Sequence, residues 1–295
     1  MKSLIDTLVK TTAVCCLIMP VPLFAMDGME LMKSVDDMYR KAFNTAVVKT
    51  QLATCKYEVK NGNISCREKP RITVLEVGEK KWGAEQRDDR SIALVLQPVT
   101  DKGVGLLTYE YYAAGRDNDV LLYLPALGKV RRLVSGSDGN EDGGSFFGTE
   151  FFSDDVQLMK IDQYTYNVLG EDTYDNRPVW VIEAIPTPER AKKTAYEKTT
   201  MWIDKDRKLI LRQDIYNRSG KLYRQRLNKD FVKVDDVWIA KQQTMNNLVD
   251  NRISAIQNIS VTYNKDLPDE MLTERSLTDF TFREKNLAIL RTFYQ

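Results

Sequence analysis

From residue 45 to residue 263 the chain is a succession of short strand-forming runs separated by turn signals. That pattern constrains the fold more than any other feature. The runs cover 45–59, 64–77, 91–97, 104–112, 119–124, 130–134, 164–170, 178–185, 196–204, 208–216, 221–233, 237–246 and 252–263. Asn61-Gly62, Lys102-Gly103, Asp175-Asn176 and Ser219-Gly220 punctuate them. Glycine and asparagine accept the positive φ that tight turns demand. Many short strands joined in this way form an antiparallel sandwich or barrel. In 208–216 the leucines and isoleucines do not keep one parity, so a bulge or bend is expected there. In 221–233, Leu222, Arg224 and Arg226 oppose Tyr223, Gln225 and Leu227. The charged face is expected to meet water.

Helical period is scarce. Residues 27–43 place Met29, Met32, Val35, Met38 and Phe43 on an apolar face, with Asp27 and Glu30 suited to a capping box. A second helix is expected from Ser153 in SDDVQLMKID, where Asp154 and Asp155 suit the positive helix start. Two helices are thin cover for a dozen strands, so a partly unfilled concave face is expected. The tail 280–295 carries apolar residues fit for a last strand or short helix packed on the sheet.

The first 25 residues read as a cleaved signal peptide. Lys2 and Lys10 precede an apolar run, Thr11 to Phe24, broken by Pro20 and Pro22, with Ala25 at the cleavage point. A membrane-spanning helix needs about 20 apolar residues, more than this run offers. Cys15 and Cys16 lie inside the run, so lipidation is not expected. Residues 26–295 then form a single domain in the periplasm of a Gram-negative cell. Its cysteines, Cys55 and Cys66, flank the Asn61-Gly62 turn. In an oxidising compartment such a pair reads as a disulfide. The rival, a structural zinc site, needs more ligands than two thiolates.

The chain has no histidine, which excludes Ser-His-Asp and Cys-His catalysis and histidine-ligated metals. Asp88-Asp89, Asp154-Asp155 and Asp235-Asp236 read as turn and helix-start acids rather than as a glycosidase pair. The glycine-rich stretch 135–152 lacks any phosphate-loop pattern, and SDGNED at 137–142 lacks the EF-hand spacing. No catalytic residue, cofactor or metal is therefore expected, and the chain reads as a non-enzyme. The formal net charge is +1 and falls to neutral without Lys2, Asp6 and Lys10, which argues against a nucleic-acid partner. Two clusters stand out. Phe146, Phe147, Phe151 and Phe152 read either as a cap on the core or as a mobile apolar gate beside a cavity. Lys129, Arg131 and Arg132 read either as a solvated strand face or as a contact for an acidic partner or lipid headgroup.

Six segments carry a family resemblance: YLPALGKVRRL (123–133), FFGTEFFSDD (146–155), VIEAIP (181–186), AYEKTTMWIDKD (195–206), IYNRSGKLYRQ (215–225) and LPDEMLTERSL (267–277). Together, in this order, they resemble the outer-membrane lipoprotein-sorting family, LolA-like proteins of the branch linked to RND-type exporters. The likeness runs from about Ala25 to Leu277. It implies a mainly β fold, a strongly curved antiparallel half-barrel with a few covering helices in its open side and an apolar cavity for acyl chains. The function it implies is a monomeric periplasmic carrier of a lipid or lipoprotein acyl group, working with an RND-type exporter. An envelope sensor or assembly module that binds a protein is the alternative. With the four phenylalanines as gate, Leu122, Leu124, Trp180, Ile182 and Trp202 are the cavity candidates.

Overall fold

Every strand-forming run becomes a strand in the structure, a computed structural model that describes residues 27–83, 85–113, 115–133 and 145–294. The expected signal peptide, with Cys15 and Cys16, lies outside the described residues, as does the glycine-rich 134–144. The strands are β1 (Thr45–Lys60), β2 (Asn63–Cys66), β3 (Arg71–Trp82), β4 (Asp88–Gln97), β5 (Gly105–Glu110), β6 (Asp119–Leu124), β7 (Lys129–Leu133), β8 (Tyr164–Tyr174), β9 (Arg177–Pro186), β10 (Tyr196–Asp204), β11 (Ile210–Asn217), β12 (Leu222–Val234), β13 (Val237–Asn247) and β14 (Arg252–Tyr263). The expected run 64–77 divides into β2 and β3 around Pro70, which has no N–H to give to a ladder. The helices are α1 (Gly28–Arg40), α2 (Ser153–Val156), α3 (Pro188–Ala191), α4 (Glu274–Thr278) and α5 (Phe280–Arg291).

All pairings are antiparallel, and the strand order is β7-β6-β5-β4-β3-β1-β14-β13-β12-β11-β10-β9-β8, with β2 paired to β1 alone. Nearly every strand pairs with its neighbour in sequence. The exceptions are β1 with β3, which skips the short β2, and β1 with β14, which joins the two halves from Ala46↔Tyr263 to Lys56↔Arg252. The sheet does not close, so β7 and β8 are its two edges. These edges are also consecutive in the chain. Of the connection between them the structure describes residues 145–163, which pack on the inner face of the sheet through Phe146, Phe147, Phe151 and Ile161.

Bulges bend the sheet. Ile259 of β14, Leu211 of β11 and Tyr223 of β12 are each an extra residue against two consecutive partners, and Leu211 lies in the run expected to bend. Helix α1 sits in the resulting trough. Asp27 caps it by accepting from Met29 N at 2.9 Å. Leu31, Met32 and Val35 pack on Ile182, Ala184, Met201 and Ile203 of β9 and β10. A Cβ on Gly28 would lie 2.7 Å from the Tyr166 carbonyl of β8, so the first turn of α1 rests directly on that strand. The other face is covered by the C-terminal segment. Leu277 of α4 and Leu287 and Leu290 of α5 pack on Ile92, Leu94 and Leu107. The expected two helices are thus too few, because the tail 280–295 forms a twelve-residue helix on the outer face.

Cys55 and Cys66 form a disulfide with Cα atoms 5.8 Å apart. The hairpin turns at Asn61 (φ 52°) and Gly62 (φ 79°), between the paired residues Lys60 and Asn63. That register sets Cys66 opposite Tyr57, so the bridge runs diagonally rather than between partners. The bridge closes a loop with a sequence separation of only 11. Its removal by a double Cys→Ser change should cost about 2–3 kcal/mol, the lower part of the range for such crosslinks. Thermal melts of the two proteins check this, and a melt insensitive to reductant in the unaltered protein would contradict it.

Candidate functional site

The trough is not completely filled. Between α1, the strap 153–163 and the concave face of β10 to β14 and β1 lies a cavity of about 390 Å³. Its apolar wall comes from Met32, Val35 and Met38 of α1, from Val48, Ile239 and Ala240 of the sheet, and from Val156, Leu158 and Ile161 of the strap. This mixture follows from the sequence pattern. The apolar stripe of α1 serves both core and cavity: Met32 and Val35 belong to the core over β9 and β10 and also line the cavity. A second, smaller cavity of about 120 Å³ lies where the strap crosses β3 to β6, walled by Phe146, Val120, Glu79 and Glu110 among others.

A polar cluster interrupts the larger wall. Arg226 donates from Nε to Asn228 Oδ1, from Nη1 to the Asp155 carbonyl and from Nη2 to Gln243 Oε1. Gln213, cross-strand from Arg226, and Tyr39 of α1 belong to the same wall. Burial holds the Arg226 guanidinium below the ordinary arginine range.

The strap is pinned by an ionic latch. The Asp155 carboxylate accepts from Phe152 N at 2.7 Å, from Tyr196 Oη at 2.7 Å and from Arg224 Nη2 at 3.1 Å. Arg224 is 1% exposed, and its guanidinium lies 3.9 Å from the centre of the Phe152 ring. Burial, and then the Asp155 charge, drive the Tyr196 hydroxyl well above its usual pKa. Arg190 holds the preceding Asp154. The expected helix from Ser153 is therefore a single turn whose work is to present two acids to arginines from α3 and β12.

A charge network closes the end of the trough nearest the C-terminus of α1. Arg40 and Arg87 bind Asp36 at 2.7 and 2.8 Å, and Lys81 binds Asp89 at 2.6 Å. Glu110 accepts from Leu158 N of the strap at 3.2 Å. Burial, with Asp89 and Glu79 nearby, pushes its pKa up to about 8.

The residues singled out in the sequence separate into several places. Phe151 is 0% exposed among Leu52, Leu75, Ile215 and Met245, and Phe146 and Phe147 pack on the same cluster. Phe152 stacks on Tyr196 with ring centres 6.4 Å apart. Leu122 packs on the same cluster of Ala93, Leu106 and Val120 as Phe146 and Phe147, and Leu124 is half-buried further along β6. Ile182, fully buried, and Trp180 press on α1. Trp202 departs from the inward orientation expected of it. Met201 and Ile203 beside it face α1, so alternation turns Trp202 outward, where Arg212 lies 4.3 Å over its ring. None of these nine residues walls the larger cavity, and α1 covers Trp180 and Ile182; Phe146 walls the smaller one. Lys129, Arg131 and Arg132 are exposed on edge strand β7, with Arg132 paired to Asp119. Lys129 and Arg131 share one face, opposite Leu124 and Leu122 of β6.

The sequence reading missed Arg224 and Arg226. Their face of β12 was expected to be solvated and is instead the inside of the trough. Among the described residues no cluster of carboxylates and cysteines could hold a metal ion.

A family model with the description "-like: Uncharacterized protein" matches residues 87–279, well over half the chain. No curated protein matches it. Solved structures do. A DUF1329 family protein from Desulfovibrio piger superposes with a TM-score of 0.73 at 22% identity, covering 85% of this chain and 97% of that one. A putative outer membrane lipoprotein-sorting protein domain from Vibrio parahaemolyticus gives 0.73 at 21% identity, with coverage of 85% and 98%. A LolA superfamily protein from Nitrosomonas europaea gives 0.61 at 15% identity, with coverage of 85% and 99%.

Proposed function

The chain belongs to this LolA-like family, and on that footing we propose that it is a periplasmic carrier of a lipid or lipoprotein acyl group. The observation that carries the reading is the partly open cavity of about 390 Å³ between α1, the sheet and a latched strap. With a water-sized group taking about 30 Å³, it holds roughly a dozen methylenes. Apolar surface leaving water gains about 25 cal/mol per Å², which suffices to retain an acyl chain while the strap is closed.

The strap is the element that opens. It is anchored by Phe146, Phe147 and Phe151 in the core at one end and held by Asp154 and Asp155 over the trough. The aromatic cluster thus serves as the fixed root of the gate, and the ionic latch as its catch. Export to an oxidising compartment agrees with the Cys55–Cys66 disulfide. No helix among the described residues is long and apolar enough to cross a membrane. Lys129 and Arg131, exposed on the edge strand, are the contacts offered to an acidic surface of an RND-type exporter.

Native mass spectrometry of the protein purified from periplasm without detergent, followed by lipid extraction, tests the carrier. A discrete bound mass of lipid size is expected. A clean unliganded mass, unchanged after incubation with membrane vesicles, would overturn it.

A further inference from the structure

The cavity is not uniformly apolar, and its polar part has a specific charge. The acids along its wall already have cationic partners: Asp36 with Arg40 and Arg87, Asp154 with Arg190, Asp155 with Arg224, Glu79 with Lys81, and Asp117 with Lys193. Of the wall's cations, Arg190 is paired, whereas Arg226 and Lys160 make no ion pair among the described residues. Lys160 donates to the Arg116 carbonyl. Arg226 has only neutral acceptors, a backbone carbonyl, an asparagine and a glutamine. The Asp155 charge attracts it without forming an ion pair, so its direct partners are all neutral dipoles; a buried charge held in this way is costly, and an anion brought beside it relieves that cost. Burial already weakens the basicity of this guanidinium.

Apolar surface flanks the same group. Met38 and Tyr39 of α1 and Ile239 and Ala240 of β13 share the wall with Arg226, Gln213 and Gln243. A ligand lying along this wall meets apolar surface over most of its length and one planar cationic fork at one place. A carboxylate matches that fork by accepting two parallel N–H bonds.

We propose that the cavity selects an acyl chain ending in a free carboxylate, a long-chain fatty acid, with Arg226 as the headgroup ligand. The proposal rests on the carrier reading and adds a charge preference to it. On binding, the carboxylate takes the Arg226 Nη1 donor from the Asp155 carbonyl, and the Gln213 and Gln243 amides border the remaining oxygen. A neutral chain of equal length fills the same apolar wall but leaves Arg226 with the dipoles it already has.

The test is a fluorescence titration of the processed, lipid-stripped protein with cis-parinaric acid and, separately, with its methyl ester. The acid is expected to bind about ten- to a hundredfold more tightly than the ester, the range of a charge-assisted hydrogen-bond pair. Arg226→Met should weaken the acid by that factor and leave the ester unchanged. Equal affinity of the unaltered protein for acid and ester overturns the carboxylate site and leaves the carrier standing. Binding of neither probe overturns the carrier reading itself. A preference that survives Arg226→Met and disappears in Lys160→Met also overturns the assignment. The acid-to-ester ratio of the unaltered protein and of Lys160→Met decides the matter even where Arg226→Met fails to fold.

Discussion

Asp155→Ala is expected to lower stability by about 3–5 kcal/mol, the cost of leaving a buried charge without its partner. The charge left behind is Arg224, 1% exposed and enclosed by Phe152, Tyr196 and Tyr223. Three donors converge on the Asp155 carboxylate, the Phe152 amide, the Tyr196 hydroxyl and the Arg224 guanidinium, and all three lose their acceptor together. A drop of roughly 6–15 °C in Tm should follow for a domain of this size. Arg224→Met should be costly as well, since it strands the carboxylate. The double variant should lose less than the sum of the two, because neither charge remains alone. Calorimetry of the three variants gives the coupling directly. Additive losses would mean that Asp155 and Arg224 do not act as one latch. The same cycle bears on function: where the latch holds the strap, Asp155→Ala also shortens the retention of bound lipid.

How much of this was legible in the sequence depends on what alternation can and cannot say. It located the strands and the turn at Asn61-Gly62, because period and turn chemistry are local. It also placed Arg224 and Arg226 on one face of β12 and Tyr223 and Leu227 on the other. It could not say which face was inside. The usual assumption, charge outward, failed because the acids that compensate Arg224 come from the strap, some 70 positions earlier in the chain. The same limit applies to Trp202. Its apolar character suggested an inward residue, yet Met201 and Ile203 hold the inner positions and the tryptophan is covered outside by Arg212. The four phenylalanines gave two readings that sequence could not separate. The structure puts Phe151 in the core, because the connection between two sheet edges needs an anchor where it crosses the concave face. The tail 280–295 suits a last strand as well as the helix α5 that it forms, and α4 escapes a reading of the sequence. A large curved sheet has two apolar faces to cover, and a reading that looks for cover only inside the trough undercounts the helices required.

Glu110→Gln should change the pH dependence of stability more than any other surface-neutral substitution in the trough. The Glu110 carboxyl is pushed from the usual 4.5 up to about 8 by burial and by Asp89 and Glu79 beside it. In the unfolded chain the same group titrates at its ordinary value. Between these two limits the folded protein holds a proton that the unfolded chain has released, so stability falls as pH rises from about 4.5 to 8. The full contribution is present below the unfolded value and is lost by the time pH passes the folded one. Glutamine has the shape of the protonated acid and does not titrate. The variant should therefore match the unaltered protein near pH 4, exceed it by about 1–3 kcal/mol at pH 8, and show a flatter curve between. Asp204 acts in the opposite sense: burial opposes its charge, but Arg177 and Arg207 bind it and hold it far below the carboxylate range. Its stabilisation is lost only in strong acid, and equally in both proteins. The difference between the two melting curves thus isolates Glu110. Superimposable curves from pH 4 to 9 would show that Glu110 is ionised in the folded protein, and the charge network behind the strap would then need an additional cation at that position.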